Sequence, residues 1–363
     1  MIGNKIFVTK PFLPEVDTYK AYIDKIWASN QLTNNGPLVQ KLEIKLKEIL
    51  KVKHLYFVSN GTIALQMAIK ALELTGEIIT TPLSFVASTS SLVWQGCTPI
   101  FADINRNTLN MEPTLIEKKI TKKTTGILTT HLFGIPNDIK ALTKIGKKYN
   151  IKIIYDAAHS FGVTYLNKSL VSFGDISTLS FHATKLFHTG EGGALITNDD
   201  KLAKKIEYIR EFGYLKTNEY KIHGLGINGK NSEFHAALGL SILPHLESII
   251  EERKNITYIY NELLSELNIT KPIMPNFTLY NYHYYPIILN SEGTLLKIIN
   301  SLEKKDIYPK RYFYPSLNNL NYIKQQKLEI ANDVSRRMLC LPLYVGLSTS
   351  KVKQICQIIA NNL

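Results

Sequence analysis

The sequence predicts an α/β protein: a mostly parallel central sheet flanked by helices, with a smaller C-terminal α+β domain behind it. Two observations predict this. Up to about residue 200, short apolar runs alternate with segments of helical period, the pattern of βαβ units and a parallel sheet. After about residue 240 the texture changes to one long helical stretch and a tyrosine- and isoleucine-rich segment over 280–289. For 363 residues, the usual domain size of about 150 residues suggests two domains. The expected division is 1–240, a large domain with an N-terminal helical segment, and 241–363.

Taken in order, residues 14–29 read as a helix and 38–50 as a clearer one. Val39, Leu42, Leu46, Ile49 and Leu50 share a face, and Gly36-Pro37 supplies the start signal. Leu55–Val58 is a short apolar strand that turns through Ser59-Asn60-Gly61-Thr62 into a helix carrying Ala64, Leu65, Ala68, Ile69, Ala71 and Leu72. A strand over Glu77–Thr81, the stretch Pro82-Leu83-Ser84-Phe85, a helix to about Gln95 and a strand over Thr98–Asp103 follow. Thr125–Thr130, Lys152–Asp156, Ile176–Phe181 and Gly193–Thr197 are further strands, with a helix over Pro136–Tyr149. A long helix is expected over Glu233–Asn268, then alternating helix and short strand to the end.

Composition excludes several classes. Hydrophobic residues make up 45% and charged residues 20%, ordinary for a soluble enzyme. The net charge is +13, but the lysines are scattered singly or in pairs such as Lys122-Lys123, so no nucleic-acid partner is expected. The excess charge suits steering of an anionic small substrate. Cys97, Cys340 and Cys356 have no CxxC spacing, which argues against a disulfide framework or a metal site and for a reducing cytoplasm. The N-terminus has no long apolar run, so no signal peptide is expected, and no stretch of the chain approaches about 18 uninterrupted apolar residues, so no membrane span is expected.

Three features carry chemistry. Asn60-Gly61-Thr62 joins a strand to a helix, where glycine admits an anion, free N–H groups face it and Thr62 adds a hydroxyl. Asp156 ends an apolar strand, and a buried carboxylate needs a partner. His159 follows three residues on. Lys185 sits in Ser180-Phe181-His182-Ala183-Thr184-Lys185, ahead of Gly190-Glu191-Gly192-Gly193. Each residue also has a plainer reading: a capped turn, an aspartate capping a helix, a core histidine, a solvated lysine. Together they are the parts a pyridoxal phosphate (PLP) site requires. Lysine forms a Schiff base, the aspartate pairs with the pyridinium nitrogen and the turn holds the phosphate. Ser180 would add a hydroxyl to the phosphate site, and Phe85 could stack on the ring or simply belong to the core.

At these residues the chain resembles the DegT/DnrJ family of PLP-dependent nucleotide-sugar aminotransferases. The likeness starts at Gln31-Leu32-Thr33-Asn34-Asn35-Gly36-Pro37 and includes Pro82–Ser88 and Asp156-Ala157-Ala158-His159. It continues through Ser180–Lys185 and Gly226-Ile227-Asn228 to Leu341-Pro342-Leu343-Tyr344. It implies a fold type I transferase, a homodimer with shared active sites, Lys185 in the Schiff base and Asp156 on the pyridine nitrogen. It places Phe85 over the ring, His159 near its oxygen, and Gly61, Thr62 and Ser180 at the phosphate, with Asn228 contributed by the other subunit. The chain departs from the common pattern at Asn60, where serine is usual, and in Gly226–Asn231. Some family members carry histidine at the lysine position and are dehydratases; lysine here favours transamination.

The segments around His182–Lys185 and Lys310–Pro315 look most like enzymes that aminate C4 of dTDP-4-keto-6-deoxyglucose with L-glutamate, for O-antigen and other surface polysaccharides. A UDP-linked 4-keto sugar and C3 amination are the rival expectations, and a non-catalytic regulator that binds PLP or a nucleotide sugar is a more distant one. Lys310 and Arg311 are candidates for the substrate diphosphate, Tyr314 for sugar or base, and His188 and Glu191 for the sugar pocket.

Overall fold

The computed structural model describes residues 5–215 and 221–363. Seven strands form the central sheet: β1 (His54–Val58), β2 (Glu77–Thr80), β3 (Thr98–Phe101), β4 (Thr124–Thr130), β5 (Lys152–Asp156), β6 (Ile176–Ser180) and β7 (Gly193–Thr197). Their order is β1-β7-β6-β5-β4-β2-β3. The run from β6 to β3 is parallel, and β7 is antiparallel to both of its neighbours. Register sets Thr130 beside Asp156 and Asp156 beside Thr178. Three side chains from three strands therefore meet at one carboxyl edge, where open parallel sheets bind ligands.

The principal helices of this part are α1 (Val16–Ser29), α2 (Pro37–Leu50), α3 (Gly61–Ala71), α4 (Ala87–Trp94), α5 (Ile139–Tyr149), α6 (Asp200–Arg210) and α7 (Glu233–Ile242). Alternate strand residues serve opposite layers, as the two-residue period requires. Val58, Ile154, Ile176 and Leu195 pack with α3, α4 and α6. Leu55, Phe57, Leu179 and Ile196 pack with α2 and α7. Helix α6 is additional to the elements expected from sequence; its Asp199 cap, which accepts from the Lys201 and Leu202 N–H groups, is its legible signal.

The expected helix over 233–268 is two. It stops at Ile242, passes through a 3₁₀ turn over Leu243–His245 and resumes as α8 (Leu246–Leu263). Pro244 is the cause, because proline removes an N–H and clashes with the preceding turn. Helix α8 spans two cores. Leu246 and Ile249 pack with the sheet layer, whereas Ile256 and Tyr260 belong to a second cluster. That cluster also holds α9 (Glu292–Glu303), α11 (Thr349–Ala360) and the antiparallel pair β8 (Tyr285–Ile288) and β9 (Met338–Leu341); α10 (Glu329–Arg337) precedes β9. Cys97, Cys340 and Cys356 are buried and unpaired. Among the described residues no helix is long and apolar enough to cross a membrane.

The start of α2 is held from a distance. The buried Glu233 carboxylate, at the first residue of α7, accepts from the Leu38 N–H at 2.7 Å and the Val39 N–H at 2.9 Å. A side chain at Gly36 would collide with it, since a Cβ there lies 2.7 Å from Glu233 Cδ. Glu233→Ala leaves two buried donors without partners and is expected to destabilise the protein by about 3 kcal/mol. Chemical denaturation reads this directly, and a loss under about 1 kcal/mol would show that water replaces the carboxylate.

Candidate active site

A cavity of about 600 Å³ opens at the carboxyl edge of the sheet, lined by residues from α3, β5, β6, the 182–191 loop and the C-terminal part of the chain. Helix α3 points its N-terminus at it. Asn60 Oδ1 accepts from the Ile63 N–H at 2.9 Å and the Asn60 carbonyl takes the Ala64 N–H. The Gly61 and Thr62 N–H groups have no partner within the helix, as the first turn dictates, and lie in the cavity wall beside Ser180. Gly61 lets the helix approach β6: a Cβ there would stand 3.0 Å from Ser180 Cβ. Asparagine in place of the usual serine thus acts as the helix cap and leaves two donors and the Ser180 hydroxyl for an anion.

Asp156 forms the floor. Its Oδ2 accepts from Ser88 Oγ at 2.7 Å and its Oδ1 from the Ala158 N–H at 3.1 Å. Ser88 in turn contacts Ser84, which contacts Thr130. Burial pushes the Asp156 carboxyl above its ordinary value; the bonds from Ser88 and Ala158 and the charge of Lys185 oppose that. His159 is buried, and its Nδ1 accepts from the Phe133 N–H at 3.1 Å. A proton on the ring must therefore sit on Nε2. Burial, with Lys185 and His283 nearby, holds this imidazole well below its ordinary pKa, so it is neutral.

The Lys185 amine lies 3.4 Å from the Tyr284 hydroxyl. Burial lowers its pKa to about 8, against the opposing pull of Asp156. Phe85, 58% exposed, stands at the cavity wall with its ring 6.4 Å from that of Phe313. Glu191 also lines the cavity, 3.6 Å from His182 Nε2.

Gly61, Thr62, Phe85, Asp156, His159, Ser180, Lys185 and Glu191 thus come together in one wall. Other candidates do not enter this cavity. His188 is buried, with Nε2 on the Phe12 carbonyl at 2.8 Å. Asn228 lies in a bridge with Glu211. Lys310 is exposed, and its main chain pairs with Cys340. Arg311 binds Glu292 at 2.6 Å and lies over the Tyr314 ring at 3.6 Å. Ser88, Thr130, Thr178, Tyr284, Tyr312 and Phe313 were not anticipated. The Pro82–Ser88 segment, which carries Ser84 and Ser88, is the legible signal for the first of these, and the Lys310–Pro315 segment contains Tyr312 and Phe313; Tyr284 has none.

Residues 15–360 match the DegT/DnrJ/EryC1/StrS aminotransferase family. The chain belongs to that family. It is 41% identical to a dTDP-4-amino-4,6-dideoxy-D-glucose transaminase of Shigella dysenteriae, covering 96% of this chain and 97% of that one. It is 37% identical to the Escherichia coli protein of the same description over 100% of both. Among solved structures, a crystal structure of DesI in the presence of its TDP-sugar product superposes with a TM-score of 0.91. That likeness is at 27% identity and covers 99% of this chain and 93% of that one.

Aminotransferases of this family use PLP, and the cavity fits it. The free N–H groups of α3 with Ser180 suit a phosphate, and the Lys185 amine suits an aldehyde. A buried carboxylate whose charge is poorly compensated suits a protonated ring nitrogen. The pKa of Lys185 has a kinetic consequence. Only the neutral amine attacks a carbonyl, so capture of PLP by the cofactor-free protein is expected to accelerate about tenfold per pH unit below about 8 and to level off above it. Stopped-flow mixing with PLP reads the profile; a rise continuing to about pH 10 would mean that the amine is not desolvated.

Proposed function

We propose that this aminotransferase moves the amino group of L-glutamate to C4 of dTDP-4-keto-6-deoxy-D-glucose. The products are dTDP-4-amino-4,6-dideoxy-D-glucose and 2-oxoglutarate, and the setting is surface polysaccharide (O-antigen) synthesis in the cytoplasm. The observation that carries the reading is the similarity, over nearly the whole chain, to two transaminases of that amino sugar, laid over a cavity that keeps Lys185, Asp156 and His159 together. The TDP-sugar in the DesI structure supports the nucleotide.

PLP, when bound, supplies an electron sink for a carbanion at the carbon attached to nitrogen. The chain does the rest. The N–H groups of Gly61 and Thr62 and the Ser180 hydroxyl hold the phosphate. Asp156, steadied by Ser88 and Ala158, would carry the charge that keeps a proton on the ring nitrogen. His159 would offer its Nε2 proton to the ring oxygen, and Phe85 would cover the ring. Lys185 Nζ takes a proton from the α-carbon of glutamate in the first half-reaction and gives one to the sugar C4 in the second. Glu191 contacts the sugar. A diphosphate role for Arg311 requires it to exchange Glu292 for substrate, with Lys310 and Tyr314 alongside.

We also assign a homodimer, in which Asn228 of one copy completes the phosphate site of the other, and a two-domain division near the expected 240/241; the helix break at Pro244 and the change of core along α8, between Ile249 and Ile256, support a boundary just beyond it. The test is optical. Glutamate alone must abolish the visible absorbance of the lysine-bound cofactor, and the dTDP-4-keto sugar must restore it. Restoration by the UDP- or GDP-linked sugar instead would replace the nucleotide; no response to glutamate would remove the transamination reading.

A further inference from the structure

The aromatic segment 280–284 reaches the cavity from the C-terminal part of the chain, and it is pinned along its whole length. Tyr280 donates to the Phe133 carbonyl at 2.9 Å. The Asn281 amide donates to the carbonyls of His159 at 3.0 Å and Phe161 at 2.9 Å. Arg253, on α8, is buried, and its guanidinium donates to the carbonyls of Tyr282 at 2.9 Å and His283 at 2.5 Å. Among the described residues it has no carboxylate partner. A buried cation satisfied only by main-chain carbonyls is costly to maintain, and here its effect is to fix the backbone on which Tyr284 stands.

The Tyr284 ring is held as firmly. It stacks on His283 at 4.2 Å and meets His159 at 4.9 Å, Phe133 at 5.6 Å and Tyr312 at 5.7 Å. Its hydroxyl lies 3.4 Å from the Lys185 amine, the one hydrogen-bond partner of that amine among the described residues. Burial keeps the phenol neutral. The lysine stem has four flexible bonds, and the proposed reaction needs its amine free yet returned to the same place in each half-reaction.

We propose that Tyr284 is a positioning residue for Lys185: its hydroxyl anchors the free ε-amine between the cofactor site and the sugar, and Arg253 holds Tyr284 there. The inference rests on Lys185 being the reactive amine. The groups that face this amine are Asp156 from β5, His159 from the loop after it, and His283 and Tyr284 from the 280–284 segment. Both histidines are pushed well below their ordinary values by burial, so they do not titrate with the lysine.

Tyr284→Phe removes the hydroxyl and keeps the ring. In cofactor-free protein, lysines are acetylated with a limiting amine reagent across a pH series, and the Lys185 peptide is quantified by mass spectrometry. The ammonium loses an acceptor in the variant, so the labelling midpoint is expected to fall by about half a pH unit. In the holoenzyme kcat is expected to fall about tenfold with KM for either substrate held within about twofold. An unchanged midpoint overturns the proposal, including the case in which the melting temperature drops, because that outcome assigns Tyr284 to packing alone. If Tyr284→Phe does not fold, Tyr284→Met is read in the same way. The labelling uses no substrate, so an unchanged midpoint leaves the transamination reading standing, and failure of glutamate to change the cofactor absorbance leaves the anchor to be judged by labelling.

Discussion

Replacing Lys185 with alanine is expected to lower turnover at least about a thousandfold while leaving the fold intact. In the proposed reaction the amine carries a proton in both half-reactions and is the nucleophile that recaptures the cofactor, and no other described lysine reaches the cavity. Stability is not expected to suffer. The buried amine has only a 3.4 Å contact with Tyr284, and its desolvation is a cost the alanine variant does not carry. The measurement is kcat with glutamate and the keto sugar, beside a melting curve. Activity above about a thousandth of wild type would remove Lys185 from the reaction.

Asp156→Asn is expected to have the next largest effect and to divide activity from stability. A carboxamide can keep its oxygen on the Ala158 N–H and donate its NH2 to Ser88 Oγ, but it carries no charge to hold a proton on the ring nitrogen. The rate is therefore expected to fall about a hundredfold or more, and an unchanged rate would refute the role. The cofactor-free protein behaves oppositely. Burial raises the Asp156 pKa in the folded state, so between the unfolded and folded values the native protein binds more protons than the unfolded chain. Stability then falls as pH rises through that window and stays reduced above it. The neutral amide escapes this cost, so with PLP stripped from both the variant is expected to melt higher than wild type at neutral pH. A lower melting point would show that Asp156 is held for packing.

The alternation of apolar runs and helical periods determined the sheet and its flanking helices, because side-chain periodicity is a local property and burial follows from it. The ends of β5 and β6, the turn before α3 and the loop carrying Lys185 were legible for a related reason. Strand ends, a capping asparagine and a glycine that lets a helix approach Ser180 are written within a few residues of each other. The sign of β7 was not: an antiparallel strand one place in from the edge of an otherwise parallel sheet is set by the partners it finds, β1 and β6, and its own five residues look the same in either direction. The break in the 233–268 helix was legible at Pro244 but outweighed by the apolar pattern on either side of it.

Only the tertiary structure decided who touches whom across the chain. Ser88 lies 68 residues before Asp156 and Tyr284 lies 99 after Lys185. Glu233 caps the first turn of α2 through Leu38, 195 residues earlier. Arg311 is a free basic residue in sequence and a partner of Glu292 in space. Local sequence determined which residue types stand at which strand ends, and so the kind of chemistry the chain can perform. Packing between distant segments decided which of them share one cavity, because only there does burial lower the lysine, raise the aspartate and bring a phenol to the amine.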